Sequence, residues 1–233
     1  MASSPTSRAV ASPSTARRRV TAKKVQEIRL DKKETDKQLT VGKGFHDITF
    51  VRATKGGGDR GSTVLANINL SGNHLSGIDL APVAGTLKEL WMDGNRLQAF
   101  PATIFDCDKL LVLGLKKNRL GGAVPDALRN LKRLQVLDLA HNAFTGDLPA
   151  GLGELTKLED LDLEGNHLST LHPAMARLTK LTELNLGDNP WEPGLPVDED
   201  GFVEPSSGES NNAFLRRCIA AQHVPGSKEQ GSK

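Results

Sequence analysis

One eleven-residue frame recurs six times between residues 65 and 191, and it constrains the fold more than any other feature of the chain. Each copy contains an asparagine, with apolar residues eight, five and three positions before it. Successive asparagines are 22 to 24 residues apart. They are Asn73, Asn95, Asn118, Asn142, Asn166 and Asn189. Six near-copies at one period indicate a chain built from stacked structural repeats.

The apolar positions of the frame predict a short strand with one buried face. Side chains two residues apart project to the same side of a strand. One repeat cannot bury its apolar residues alone, so we expect the strands to stack in parallel, about 4.8 Å apart, over one continuous core. Each asparagine then follows a strand, where its amide can bond backbone groups that the strands leave unpaired, and stacked copies would form an asparagine ladder. The apolar residues are Leu65, Ile68, Leu70, Leu87, Leu90, Met92, Leu110, Leu113, Leu115, Leu134, Leu137, Leu139, Leu158, Leu161, Leu163, Leu181, Leu184 and Leu186.

The stretch between one frame and the next has a period of its own. Four prolines follow the asparagines by six or seven residues, and two apolar positions follow each proline. This spacing predicts an extended segment and a short helical turn on the convex side of the repeats. The apolar positions are Ile104, Leu128, Leu152 and Met175, then Cys107, Leu131, Leu155 and Leu178.

The frame resembles the pattern L-x-x-L-x-L-x-x-N-x-L of the leucine-rich repeat family. The resemblance covers residues 65–191 and implies an α/β leucine-rich repeat solenoid, with a curved parallel β-sheet of about six repeats. It also implies a binding surface, which is how the family is mainly used. LGGAVP (120–125) and FTGDLP (144–149) resemble plant-type repeats, whereas neighbouring copies resemble the intracellular type, so the subclass stays open. DNPW (188–191) resembles the start of extracellular C-terminal flanks, but the cysteines that should follow are missing.

The residues outside the repeats are predicted to form caps and tails. Residues 1–24 have almost no large apolar side chains and are predicted to be a disordered basic tail. Residues 25–64, in which FHDITFV (45–51) alternates as a strand, are predicted to form an N-terminal β cap, because a solenoid must hide the open end of its core. Residues 192–223 predict a loop and a capping helix, and residues 224–233 a polar tail. The helix face expected to seal the last repeat consists of Phe214, Leu215, Cys218 and Ile219.

The net charge of +2 conceals a basic N-terminus and an acidic remainder. Residues 1–33 contain nine Lys or Arg and only two acids. Three interpretations of the tail stay open: an arm that binds a polyanion such as RNA, a mitochondrial or plastid transit peptide, and an inert solvated segment. The predicted polyanion-binding residues are Arg17, Arg18, Arg19, Lys23 and Lys24.

No catalytic or metal-binding motif stands in the sequence, so we expect no enzyme, no catalytic residue, no metal and no cofactor. GGGDRGST (56–63) lacks the Gly-Lys-Ser/Thr ending of a phosphate loop. His74 and His167 occupy equivalent places four repeats apart, about 19 Å at sheet spacing, and cannot share a metal. Two widely separated cysteines, no apolar run of about 18 residues and no apolar N-terminal region predict an intracellular protein that does not span a membrane.

Function is expected on the strand residues that face away from the core. Trp91 stands out among them, because an indole that meets solvent is a frequent binding anchor. Val112, Gly114 and Val136 are small enough to leave room beside it for an inserted side chain. A structural interpretation, in which Trp91 packs on its neighbours and the acids are ordinary solvated residues, stays open.

The same face becomes acidic toward the C-terminal repeats. Lys116 and Lys117 interrupt the pattern and are expected to pair with Asp93 or Asp138 on adjacent strands. An aromatic anchor beside an acidic half predicts a partner peptide, helix or loop that carries Lys or Arg. The predicted partner-binding residues are Glu89, Trp91, Asp93, Lys116, Asp138, Asp160, Asp162, Glu164 and Glu183.

We therefore predict a non-enzymatic interaction or scaffold subunit that binds a protein partner on its concave face. We expect a monomer within a larger intracellular hetero-assembly, in the cytoplasm or on the cytoskeleton. The alternative is an organellar or ribonucleoprotein component whose basic N-terminal arm contacts RNA.

Overall fold

An eight-stranded parallel sheet organises the chain. The computed structural model describes residues 65–192, 195, 205 and 208–223, and the backbone of four short strands nearer the N-terminus. The strands in chain order are β1 Arg19–Val20, β2 Glu27–Leu30, β3 Gln38–Val41, β4 Thr49–Arg52, β5 Asn67–Asn69, β6 Glu89–Trp91, β7 Val112–Gly114, β8 Gly121–Gly122, β9 Val136–Asp138, β10 Ala143–Asp147, β11 Asp160–Asp162, β12 His167–Thr170 and β13 Glu183–Asn185. The order in the large sheet is β1-β3-β5-β6-β7-β9-β11-β13.

The leucine frame directs its apolar side chains into one core, as predicted. Seventeen of the eighteen frame residues are buried, and the central leucines of neighbouring strands lie directly opposite one another, as Leu113 and Leu137 do. Leu184 is the exception and is half-buried. It lies on β13, the last strand of the sheet, so no further repeat covers its outer side.

The predicted asparagine ladder is confirmed. The side-chain amide of Asn142 donates to the carbonyl oxygens of Leu115 and Leu139, both at 3.0 Å, and its Oδ1 accepts from the N–H of Leu120 at 3.1 Å. Leu115 and Leu120 belong to the preceding repeat, so each asparagine joins two repeats through backbone groups. The same three bonds recur at Asn95, Asn118, Asn166 and Asn189.

The return legs form short turns of 3-10 helix, which confirms the helical turns predicted on that side. All eight apolar positions of this leg are buried against the frame leucines. The plant-type segments LGGAVP and FTGDLP form β8 and β10, which join β12 in a three-stranded parallel sheet. The 3-10 turns are Ala102–Asp106, Asp126–Asn130, Ala150–Glu154 and Pro173–Arg177.

The large sheet extends beyond the frame toward the N-terminus. β3 pairs with β5 in parallel and brings Leu39 opposite Ile68, although its sequence lacks the asparagine frame. A ladder needs only backbone N–H and C=O groups, and so the edge of β5 accepts a strand without the frame. β1 pairs with β3, so the sheet begins inside residues 1–24, the stretch predicted to be disordered, and that prediction is wrong for Arg19–Val20.

Within the stretch predicted to be a β cap, β2 and β4 pair with each other in a separate two-stranded sheet. The predicted strand 45–51 is observed at Thr49–Arg52, and residues 45–48 lie outside the described residues. The capping role of this region remains a prediction.

A helix, α1 (Asn211–Gln222), packs against the last 3-10 turn. The four residues expected on its inner face are all buried. Side-chain amides on α1 also satisfy backbone groups of the return leg between the last two frames: Gln222 accepts from the N–H of Leu171 at 2.8 Å, and Asn212 donates to the carbonyl of Leu178 at 2.9 Å. No helix among the described residues is long and apolar enough to cross a membrane.

Both cysteines are free thiols in the buried core. Cys107 occupies a convex position that other repeats fill with leucine, and Cys218 lies on the inner face of α1. Burial raises the pKa of each thiol to about 12. The thiols are therefore protonated at neutral pH and act as small apolar side chains.

Candidate functional site

Two rows of side chains cross the face of the large sheet that points away from the leucine core. The first row passes through Asn67, Glu89, Val112, Val136, Asp160 and Glu183. The second row passes through Asn69, Trp91, Gly114, Asp138, Asp162 and Asn185. Because the strands are in exact parallel register, residues at equivalent frame positions become direct neighbours on this face.

A depression of about 500 Å³ lies on this face. Trp91 lines it on one side and Asn211, at the start of α1, on the other. The depression therefore spans the sheet from β6 to β13 and reaches the start of α1. The residues that line it are Trp91, Val136, Asp138, Asp160, Asp162, Thr182, Glu183, Leu184, Asn185 and Asn211.

Trp91 lies on the open face, where the frame places it, and its side chain is half-buried. Its indole covers Gly114 on the neighbouring strand so closely that a β-carbon at residue 114 would be 2.5 Å from Cε3 of the ring. The expectation that Gly114 leaves room for a partner's side chain is therefore wrong, because the indole fills that room. Val136, one strand further, does line the depression, as predicted.

Four carboxylates line the depression beyond Trp91, and Asp160 and Glu183 are directly opposite one another on β11 and β13. Burial raises the pKa of Asp160, and the charges of Glu183, Asp162 and Asp138 raise it further. Burial likewise raises the pKa of Asp138. The N–H of Ala140, which donates to Oδ1 of Asp138 at 3.0 Å, lowers this pKa but does not cancel the effect of burial. The depression therefore concentrates negative charge that the fold only partly neutralises.

Lys116 is the basic residue beside this cluster, and its ion partner differs from the one predicted. Its Nζ lies 3.2 Å from Oδ2 of Asp162, two strands away. The expected pairs with Asp93 and Asp138 on adjacent strands are not the ones formed. Asp93 binds the backbone of Lys116 and not its ammonium: Oδ1 of Asp93 accepts from the backbone N–H of Lys116 at 2.9 Å.

The structure brings five of the nine predicted partner-binding residues together around the depression. They are Trp91, Asp138, Asp160, Asp162 and Glu183. Glu89, Asp93, Lys116 and Glu164 lie on the same strands or just beyond them but do not line it. Glu164 accepts from the side-chain amide of Asn185 at 3.0 Å, and His141 Nε2 lies 3.8 Å from its Oε1.

The predicted polyanion-binding residues cannot be placed in the same way. Arg17, Arg18, Lys23 and Lys24 lie outside the described residues. Arg19 belongs to β1, at the opposite edge of the sheet from β13. Their role remains a prediction.

Sequence reasoning missed the residues that close the depression on the side of α1. Asn211 donates from its side-chain amide to the carbonyl of Thr182, a contact across 29 residues of sequence. Thr182 and Asn185 belong to the last frame, so the frame positions alone could have indicated them. The contribution of Asn211 depends on where α1 docks, and no local pattern encodes that. Among the described residues no three His, Cys, Asp or Glu side chains are arranged to hold a metal.

Two family profiles match residues within the repeats. A family profile described as Leucine rich repeat covers residues 85–144, and a profile described as Leucine Rich repeats (2 copies) covers residues 132–174. No curated protein matches the chain.

Several solved structures share the fold. The plant peptide hormone receptor RGFR1 in complex with RGF2 is 32% identical with a TM-score of 0.50, over 55% of this chain and 21% of that one. The LRR ectodomain of the plant membrane receptor kinase GASSHO1/SCHENGEN3 from Arabidopsis thaliana, in complex with CASPARIAN STRIP INTEGRITY FACTOR 2, is 28% identical with a TM-score of 0.50, over 71% and 21%. A TDR receptor is 26% identical with a TM-score of 0.51, over 66% and 27%.

The chain spans only 21% to 27% of the length of these three receptors. The profile matches fall on the residues that form the asparagine ladder and the parallel sheet, and these residues are therefore leucine-rich repeats.

Proposed function

We propose that this protein is a non-enzymatic binding subunit whose concave depression takes a basic segment of a protein partner. The observation that carries the proposal is the depression itself, where an indole and four carboxylates are among the ten lining residues. Two of the similar receptors were solved in complex with the partners named above, which supports the use of such repeats for recognition.

The depression combines two kinds of attraction. The half-exposed indole of Trp91 offers a rigid apolar surface for an apolar or aromatic side chain of the partner. The carboxylates offer acceptors for charge-assisted hydrogen bonds, each of which contributes about 1.5–3 kcal/mol when its donor is a Lys or Arg. Apolar contact at Trp91 holds the partner, and the charges select its sequence.

The strand spacing predicts how such a segment would be arranged. Neighbouring strands lie about 4.8 Å apart, so a segment that crosses the strands meets β9 roughly 10 Å from Trp91 and β13 roughly 19 Å from it. An extended chain advances about 3.3 Å per residue. We therefore expect an apolar residue over Trp91 with Lys or Arg about three to six residues further along.

Synthetic peptides test this arrangement directly. The probe is a fluorescein-labelled ten-residue peptide with tryptophan at position 2 and arginines at positions 5 and 8, and its control carries glutamine in place of both arginines. The double variant Asp160→Asn, Glu183→Gln should weaken binding of the arginine peptide at least tenfold, measured by fluorescence anisotropy at low salt. Neither side chain is engaged by a hydrogen bond within the described residues, so the fold should be unaffected.

A matched control carries the same change of charge elsewhere. Asp106 and Asp108 are exposed on the convex side, at the first 3-10 turn. The double variant Asp106→Asn, Asp108→Asn should bind the arginine peptide about as well as the wild type does. Equal affinity of the arginine and glutamine peptides for the wild-type protein would overturn the proposal.

We further propose that the protein works inside the cell, within a larger assembly. The free thiols of Cys107 and Cys218 support a reducing compartment, where cysteines stay unpaired. One of the similar structures is the ectodomain of a plant membrane receptor kinase, and this chain spans only 21% of its length. A fluorescent fusion to the C-terminus, imaged in live cells, distinguishes a cytoplasmic or cytoskeletal protein from a mitochondrial, plastid or secreted one.

The RNA-binding alternative rests on the nine basic residues among residues 1–33. Affinity purification with and without nuclease separates the two functions. Loss of the partner in the Trp91→Ala variant, with no effect of nuclease, supports the depression. Loss only after nuclease, or only in a form that lacks residues 1–24, supports the arm.

A further inference from the structure

Lys116 reaches across the concave face from the turn after β7. Its Nζ lies 3.2 Å from Oδ2 of Asp162 on β11, so its side chain spans the intervening strand β9. The side chain of Lys116 is 31% exposed and that of Asp162 is 18% exposed, which places the ion pair at the open surface of the site. A cation belonging to the chain itself therefore occupies part of the acidic half.

Several charges hold the ammonium there. Asp162 binds it directly, while Asp138 on β9 and Glu164, two residues after β11, attract it from a greater distance. Desolvation opposes the charge, but these acids outweigh it and raise the pKa of Lys116 above its ordinary value. Asp160 and Glu183 lie outside this arrangement and, among the described residues, face no cation.

Lys117 shows that this placement is specific to one residue. It follows Lys116 directly, is exposed, and takes part in no ion pair within the described part of the chain. Its backbone has a φ of 54°, which turns the chain out of the strand direction. The two lysines are adjacent and carry the same charge, but only Lys116 forms an ion pair in the acidic half of the depression.

We propose that the ammonium of Lys116 occupies the place at Asp162 that a cation of the partner would otherwise take. Lys116 thereby sets the selectivity of the depression. This inference rests on the proposed function. A partner with a single Lys or Arg binds at Asp160 and Glu183 and leaves Lys116 in place. A partner with a second cation must displace Lys116 from Asp162, so Lys116 leaves the affinity for singly charged segments unchanged and limits the affinity for doubly charged ones.

The test compares neutralisation of the two lysines. Lys116→Met keeps the length of the side chain but frees Asp162, whereas Lys117→Met makes the same change of charge without freeing a carboxylate. Binding of the two-arginine peptide described above should tighten about three- to fivefold in Lys116→Met and less than twofold in Lys117→Met, since an ion pair at this exposure is weak. Lys116→Arg should restore the wild-type affinity.

Salt and the number of arginines provide two further readouts. The gain in Lys116→Met should shrink in 0.5 M salt, because partly exposed charges are screened. A peptide with one arginine should gain less than the peptide with two, because only the second cation competes with Lys116.

The outcomes separate this inference from the proposed function. If the wild type binds the arginine peptide and both methionine variants bind it equally, the proposed function stands and the role of Lys116 is overturned. If only Lys116→Met binds the arginine peptide measurably, Lys116 blocks the carboxylates in the wild type, so the competition by Lys116 stands and the proposed function of the wild type is overturned. If no form of the protein prefers the arginine peptide to its glutamine control, both are overturned.

Discussion

The indole of Trp91 lies across Gly114 of the adjacent strand, and a β-carbon at Gly114 would come within 2.5 Å of Cε3 and 3.1 Å of Cζ3. Any side chain at residue 114 must therefore displace the indole or move the strand. Trp91 is half-exposed on the open face, where its indole packs against Gly114 and not in the leucine core.

Gly114→Ala should displace Trp91 and weaken binding of the arginine peptide severalfold, at a cost of about 1–3 kcal/mol in stability from overpacking. Tryptophan fluorescence in a Trp191→Phe background would report the new environment of the indole. Gly77→Ala, where an added β-carbon meets nothing within 4 Å, is the control. An unchanged emission spectrum in Gly114→Ala would show that the indole does not depend on this glycine.

The asparagine ladder should be a large contributor to stability. Asn166 is 2% exposed; its amide donates to the carbonyls of Leu139 and Leu163, and its Oδ1 accepts from the N–H of Phe144. Asn166→Ala removes these three hydrogen bonds and leaves the N–H of Phe144 without its acceptor, while the carbonyls of Leu139 and Leu163 keep their bonds to Asn142 and Asn189. We expect a loss of about 2–4 kcal/mol in the free energy of unfolding, measured in urea. Asn130→Ala, at an exposed position on the convex side, should change it by less than about 0.5 kcal/mol.

The raised pKa of Asp160 predicts the sign of a pH effect. Burial and its acidic neighbours place the folded-state pKa of Asp160 above its ordinary value of 3.8, so the folded protein binds a proton at this carboxylate more tightly than the unfolded chain does. The contribution of Asp160 to stability therefore falls as pH rises through the interval between 3.8 and its folded-state pKa. Asp160→Asn should stabilise the protein at pH 7, by less than about 1 kcal/mol because water screens this half-exposed carboxylate, and the gain should vanish below that interval.

Thermal unfolding of the wild type and Asp160→Asn between pH 3 and pH 7 checks this sign. The exposed convex residue Asp108, replaced by Asn, serves as the comparison. A variant that became less stable at pH 7 would mean that Asp160 makes a favourable interaction in the folded protein.

The last repeat should depend on α1. Phe214 is fully buried beneath the helix, and Phe214→Ala should cost about 3–5 kcal/mol and expose the end of the leucine core. Hydrogen exchange should then lose protection first in the return leg between the last two frames, whose Leu171 N–H is bonded to Gln222. Arg216→Ala, on the exposed side of the helix, is the control, and equal protection in both variants would argue against a capping role.

The repeat core was predictable because it depends on local order. The frame L-x-x-L-x-L-x-x-N encodes a strand and the turn that follows it. Stacking near-identical units then brings equivalent residues together. Trp91 and the acids were assigned to the correct face for the same reason. The strand at Gln38–Val41 was missed because pairing with β5 uses backbone groups that any sequence carries.

The sequence by itself determined the repeat fold, its asparagine ladder and the outward direction of Trp91, Asp138, Asp160, Asp162 and Glu183, since periodicity is a local property that stacking preserves. Only the tertiary structure decided that Trp91 covers Gly114, that Lys116 pairs with Asp162 across two strands, and that Asn211 closes the depression. These contacts depend on side-chain rotamers and on the docking of a distant helix, and both are settled by packing after the repeats have stacked.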